Sequence, residues 1–214
     1  MTVKRSPLFY AFSKCLCRVF LALYNRLSIN NAPLLPEGRA VIVASNHNSN
    51  LDPVIVGVAY PRKLSYLAKE ELFKVPFLSF IIRHLGAIPV SRQDELKAGV
   101  VLRTMLDILL SGEDVLIFPE GSRSFDGKLQ PLEGGAAMLA LHSNAPILPV
   151  YVKGSFEAMP RGTSFPKPKK IEVLFGKLID PLDLPTDMKD KQKRFHLLVQ
   201  LEKQMEEMMY ELGK

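Results

Sequence analysis

The 214-residue chain has no tryptophan, two cysteines and four histidines. Cys15 and Cys17 are too few for a disulfide framework, and no histidine stands near them at a zinc-ligand spacing, so no metal site is expected. Such sparing use of cysteine fits a reducing, cytosolic setting. No uninterrupted apolar run approaches the ~18–20 residues of a membrane span, which argues against an integral helical membrane protein. Hydrophobic residues make up 47% and charged residues 23%. These proportions exclude a disordered chain, and the length suits one compact domain.

Acidic residues are also missing from one region. Residues 1–30 carry Lys4, Arg5, Lys14, Arg18 and Arg26, and the first acid is Glu37. That segment supplies +5 of the formal net charge of +6, leaving 23 basic against 22 acidic side chains in the other 184 residues. A nucleic-acid-binding protein would spread its basic residues over a face of the domain, so no nucleic acid partner is expected. At 100° per residue, Phe12, Leu16, Val19, Phe20, Leu23 and Leu27 share one sector of a helix over residues 8–28. Lys14, Arg18 and Asn25 lie opposite, with Arg26 at the border. A basic amphipathic helix with aromatics on its apolar side is the pattern of an anchor at an anionic membrane surface; a helix packed on the domain is the alternative. A secretory signal fits poorly, because Lys14 and Arg18 interrupt the apolar region and no small-residue cleavage site follows.

Beyond this segment, Pro33, Pro36 and Gly38 break the chain. Strand-like runs follow at Ala40–Ser45, Leu64–Ala68, Ala87–Val90, Val115–Phe118, Ile147–Lys153 and Ile171–Phe175. Helix-like stretches lie between and after them, at 53–60, 70–83, 94–111, 134–143 and 188–212. Phe195, Leu198, Met205, Met208, Met209 and Leu212 of the last one read as core-facing. The alternation predicts an α/β fold: a mixed, largely parallel central sheet flanked by helices, with the N-terminal amphipathic helix attached. The expected organisation is residues 1–32 as the basic membrane-interface helix and 33–214 as a single α/β domain.

Three polar clusters stand where predicted strands end: Asn46-His47-Asn48-Ser49-Asn50-Leu51-Asp52-Pro53, Ser91-Arg92 and Pro119-Glu120-Gly121-Ser122-Arg123-Ser124. In an open α/β sheet, ligands bind beyond the carboxyl ends of the strands, so parallel strands would bring the clusters to one edge. Histidine is a general base near neutral pH when a second group holds its ring and tautomer. Four residues separate His47 from Asp52, enough for the loop to fold the carboxylate back onto the imidazole. Asp52-Pro53 also fits a helix start with Asp as the cap, which leaves a plain structural reading open. Gly121 permits a tight turn, Arg123 can bind a phosphate bidentately, and Glu120 can accept hydrogen bonds from hydroxyls.

Taken together, Asn46-His47-x4-Asp52, Gly86-Ala87-Ile88-Pro89-Val90-Ser91-Arg92, Phe118-Pro119-Glu120-Gly121-Ser122-Arg123-Ser124 and Ile147-Leu148-Pro149-Val150 have the order and spacing of the glycerolipid acyltransferases. Over residues 35–180 the chain resembles the bacterial 1-acylglycerol-3-phosphate acyltransferases, the PlsC family. The resemblance implies that His47 is the catalytic base and Asp52 its orienting partner. It also implies that Glu120, Gly121 and Ser122 belong to the acceptor-binding block, and that Lys69, Arg92 and Arg123 hold the acceptor phosphate. The Ile147–Val150 block would be a mostly structural element near the acyl donor. One departure stands out: Leu132-Glu133-Gly134-Gly135-Ala136 carries an acid where such enzymes often have a base, which implies a weaker phosphate grip or another head group.

The implied activity is transfer of a fatty acyl group from acyl-CoA or acyl carrier protein to lysophosphatidate, giving phosphatidate. It uses no cofactor beyond the co-substrate. The expected location is the cytoplasmic face of the cell membrane, peripheral or monotopic. Alternatives are an acyltransferase for another lysolipid, a lipid hydrolase using His47 to activate water, and a non-catalytic lipid-binding protein. Acyl release without an acceptor would mark the hydrolase, and binding without turnover the last.

Overall fold

The computed structural model describes residues 7–91, 98–163 and 165–213. The strands are β1 (Ser28–Asn30), β2 (Ile42–Ser45), β3 (Ser65–Lys69), β4 (Ala87–Val90), β5 (Val115–Ile117), β6 (Ile147–Lys153) and β7 (Glu172–Phe175). The helices are α1 (Pro7–Tyr24), α2 (Asp52–Ala59), α3 (Pro76–His84), α4 (Ala98–Leu110), α5 (Gly135–Ser143), α6 (Ser155–Ala158) and α7 (Asp190–Gly213). The strands form one sheet in the order β1-β7-β6-β2-β5-β3-β4. Every neighbouring pair is parallel except β6 with β7. This is the mixed, largely parallel sheet that the alternation of runs predicts.

Burial explains the apolar runs. A strand covered on both faces needs side chains that tolerate a core on either side, and β2 is buried along its whole length. Successive side chains then go to opposite layers. Ile42 and Ala44 join Val115, Ile117 and Ile147 in a core covered by α4, α5 and α7. Val41 and Val43 join Leu116, Leu148, Val150 and Val152 under α2, α3 and Leu21 of α1. The last helix buries Leu197, Leu201, Met205 and Met208, whereas Phe195 is 68% exposed. Phe195 is therefore not the core residue the periodicity suggests.

The N-terminal segment differs from its reading in three respects. Its helix stops at Tyr24, Arg26 takes a positive φ, and Ser28–Asn30 turn back as an edge strand against β7. The sector that meets the domain is the polar one: Tyr10, Ser13 and Leu21 are buried, and the Lys14 ammonium donates to the Tyr60 carbonyl at the end of α2. Burial, followed by repulsion from Arg18, lowers the pKa of Lys14. Asn25 is fully buried and donates to the Lys167 and Lys169 carbonyls. The apolar sector therefore faces outward, with Phe12, Leu16, Val19, Phe20 and Leu23 between 47% and 79% exposed. By length and composition alone this helix, with a mean hydropathy of 1.3, is long and apolar enough to cross a membrane. Lys14 and Arg18 divide it, so it contains no uninterrupted apolar run of that length.

Candidate active site

Parallel pairing of β2 with β5, of β5 with β3 and of β3 with β4 puts their carboxyl ends along one edge. The first turn leaves β2 through Asn46, which is buried and extends the sheet with its side chain. Its Nδ2 donates to the Val152 carbonyl (2.9 Å), and its Oδ1 accepts from the Val152 amide (2.7 Å). The amide group thus pins the exit of β2 to β6 just before His47.

His47 is fixed through both main chain and ring. Its N–H donates to Glu120 Oε1 (2.6 Å), and its carbonyl accepts from the Ser124 amide (2.7 Å). The imidazole stacks on Phe118 with ring centroids 3.8 Å apart and planes 16° from parallel. Nδ1 lies 3.0 Å from Asp52 Oδ2, and the side chain of Asp52 is wholly buried while that of His47 is 18% exposed. The same Oδ2 accepts from the Asn48 and Ser49 amides at 2.7 and 2.6 Å. A carboxylate fixed by three donors on one oxygen selects the tautomer with hydrogen on Nδ1. Nε2 is left as the basic nitrogen, on the ring edge away from Asp52.

Asp52 is not the helix cap its sequence context suggests. Leu51 occupies the cap position without a side-chain hydrogen bond, and Asp52 is the first residue of α2. Its carboxylate turns back onto the amides before the helix instead of onto the helix's own, which removes the plain capping explanation.

The second turn is organised around Glu120. It is 7% exposed, and its second oxygen accepts from the Gln130 amide (2.9 Å). Burial raises its pKa first of all; the Gln130 and His47 amides pull it back, and the charge on Asp52 pushes it up again. In this arrangement Glu120 ties the turn after β5 to the His47 turn. Gly121 has φ +68°, so the backbone favours glycine there, and a Cβ would only displace the flexible end of Glu133, whose Oε1 would lie 2.6 Å away. The exposed Ser122 and half-buried Arg123 follow. Burial disfavours the charged guanidinium of Arg123, as does repulsion from Arg161, whereas the Asp52 carboxylate favours it.

Lys69 is exposed at the carboxyl end of β3, on the same edge. Arg92 lies outside the described residues. Asn46, Phe118 and Gln130 were not identified as site residues from the sequence. Only the strand positions of Asn46 and Phe118 could have marked them; the Gln130 amide depends on loop geometry with no local signal.

A histidine hydrogen-bonded to a carboxylate, a glycine turn and an arginine on one sheet edge suit acyl transfer, and comparison with known proteins gives the family. The family model described as Acyltransferase matches residues 26–153. The chain belongs to the acyltransferase family. Among relatives of this acyltransferase is the 1-acyl-sn-glycerol-3-phosphate acyltransferase of Bacillus subtilis (strain 168), 27% identical over 81% of this chain and 84% of that one. A chloroplastic 1-acyl-sn-glycerol-3-phosphate acyltransferase of Brassica napus is 29% identical over 57% of this chain. The match spans only 35% of that longer protein. Among solved structures, the 1-acyl-sn-glycerophosphate acyltransferase PlsC from Thermotoga maritima superposes with a TM-score of 0.72 at 27% identity. That match covers 94% of this chain and 78% of the other. The fold and family that the motifs imply are thus those of the chain.

Proposed function

We propose that this acyltransferase moves a fatty acyl group from an acyl thioester, acyl-CoA or acyl carrier protein, to the free hydroxyl of lysophosphatidate. The observation that carries the reading is the His47–Asp52 pair, locked through Glu120 to the turn that presents Arg123. His47 Nε2 takes the hydroxyl proton as the oxygen attacks the thioester carbonyl. The new C–O bond forms, the C–S bond breaks, and the imidazolium returns the proton to the departing thiolate. Asp52 stabilises the imidazolium between the two transfers. Arg123 holds the acceptor phosphate, with Lys69 and Arg92 as further cations, so the hydroxyl is delivered in register. Orientation of that kind can contribute ~7–11 kcal/mol to lowering the barrier.

The acceptor is a membrane lipid, and the outward apolar face of α1 supports placement of the sheet edge at an anionic bilayer. Incubating the purified protein with lysophosphatidate and each donor, then weighing the lipid product by mass spectrometry, tests the reading. Phosphatidate is the expected product. Free fatty acid with no change in the lysolipid would make the protein a hydrolase instead.

A further inference from the structure

The turn after β5 and the loop after α6 meet beside the His47 turn. Ser49 donates its hydroxyl to the Met159 carbonyl (2.8 Å), which anchors the start of that loop. Pro160 to Thr163 close a tight turn, with the Thr163 amide and Oγ1 at 3.3 and 2.8 Å from the Pro160 carbonyl. The side chain presented by this turn is Arg161, whose guanidinium carbon lies 4.0 Å from the centre of the Phe125 ring. Phe125 belongs to the same turn as Arg123, and that turn is bound to His47 through the Ser124 amide.

Arg123 and Arg161 are close enough to repel each other. Among the described residues, neither has a carboxylate within ion-pair distance. On the other flank of the turn stands the Glu133 carboxylate, against Gly121, so that side supplies no cation. Two guanidiniums brought together by separately anchored loops raise the energy of the empty site and lower it when an anion lies between them. A phosphomonoester carries about −1.5 to −2 charges near neutral pH. Each guanidinium against it offsets part of that charge, and a phosphodiester, with a single charge, gains less from an added one.

We propose that Arg161 is a further cation of the acceptor site, bracketing the lysolipid phosphomonoester with Arg123 from the opposite loop and favouring it over phosphodiester head groups. The Phe125 ring, by a cation–π contact, holds the guanidinium in place without a competing carboxylate. The inference rests on the reading of the acceptor as lysophosphatidate.

Titration calorimetry of the full chain with sn-glycerol 3-phosphate, a soluble form of the head group, tests it apart from turnover. Wild type should bind, Arg161→Ala should bind about tenfold more weakly, and Arg161→Lys should recover part of the loss, keeping the charge but not the planar fork. In steady-state assays Arg161→Ala should raise the acceptor KM by a similar factor while kcat and the donor KM stay within about twofold. Unchanged glycerol phosphate affinity in Arg161→Ala would overturn the proposal. So would a donor KM rising in step with that of the acceptor, which would make the loop a structural support. Loss of flotation on anionic vesicles with an unchanged acceptor KM would overturn it too and assign Arg161 to the bilayer. Binding of glycerol phosphate that depends on Arg161, without acylation of lysophosphatidate, would leave the anion site standing and remove the proposed acceptor.

Discussion

Asp52 carries three hydrogen bonds on Oδ2, while Oδ1 is buried with no partner among the described residues. In the proposed mechanism this carboxylate faces the imidazolium formed when His47 takes the hydroxyl proton. Asp52→Asn keeps an oxygen for the two amides and removes the charge. The turn should survive while kcat falls by about 10²-fold. His47→Ala should lower kcat by about 10²–10⁴-fold with little change in melting temperature. Single-turnover kinetics beside a thermal melt checks both; near-normal turnover in a folded His47→Ala protein would remove His47 from the mechanism. At Arg123 the loss concerns binding. A charge-assisted hydrogen bond to a partly desolvated phosphate is worth on the order of 1.5–3 kcal/mol. Arg123→Ala should accordingly raise the acceptor KM by about 10- to 100-fold and the donor KM far less. Equal movement of the two constants would give Arg123 another role.

At the scale of elements, α1 packs on the domain with one face and exposes an apolar sector on the other. Leu21 is 2% exposed, within the core beneath the sheet, so removing the whole segment would damage the domain along with any membrane contact. Charges placed on the outward face separate the two. Leu16 and Leu23 are 60% and 79% exposed, so Leu16→Glu with Leu23→Glu should leave the melting temperature nearly unchanged. Burying a large apolar side chain is worth about 1.5–3 kcal/mol, and the double variant should float with anionic vesicles at least tenfold less well. High salt should release the wild type only in part, because it screens the Lys and Arg contribution and leaves the apolar one. Equal flotation of variant and wild type would show that the membrane is met elsewhere.

Across the whole molecule, the segment after β7 is tied back to the chain before β2 by Arg39. Its guanidinium donates to both oxygens of Asp180 at 2.6 and 2.9 Å and to the Asn144 carbonyl at 2.6 Å. The Arg39 hydrogen bond is the largest cause holding the Asp180 carboxyl below its ordinary value of 3.8. A depressed folded pKa means that the pair stabilises the protein fully above the unfolded pKa and loses that contribution as pH falls through the folded one. Asp180→Asn can still accept from the Leu182 amide, but it turns an N–H toward the guanidinium, so it removes the charge and one acceptor together. It should cost about 1 kcal/mol at pH 7 after allowance for solvent screening, or roughly 2–4 °C in melting temperature. The contribution of the charge should begin to shrink as pH falls through about 3.8 and be gone only below the lower, folded pKa. Melting curves of both proteins from pH 7 downward check this, and a difference that does not shrink in acid would mean that the charge is not what stabilises.

Composition and period determined much of this protein without its fold. Apolar runs such as Ala40–Ala44 could only be strands buried on both faces, and their alternation with helical stretches required a largely parallel sheet. Parallel strands in turn oblige the polar residues after β2 and β5 to share an edge, while the roles expected of His47, Asp52 and Arg123 came from the resemblance of their motifs to the acyltransferases. Tertiary structure decided what depends on contacts far apart in the chain. Lys14 and Asn25 face the domain because backbone carbonyls at Tyr60, Lys167 and Lys169 accept their hydrogens, which turns the apolar sector of α1 outward. Glu120 is bound by backbone amides at His47 and Gln130 because two loops close over it. Arg161 stands over Phe125, two residues beyond Arg123, in a loop whose start Ser49 anchors from 110 residues away. A local pattern records which face is apolar and which residue can ionise, whereas the partner that satisfies a buried donor or opposes a charge is set by the packing of the chain.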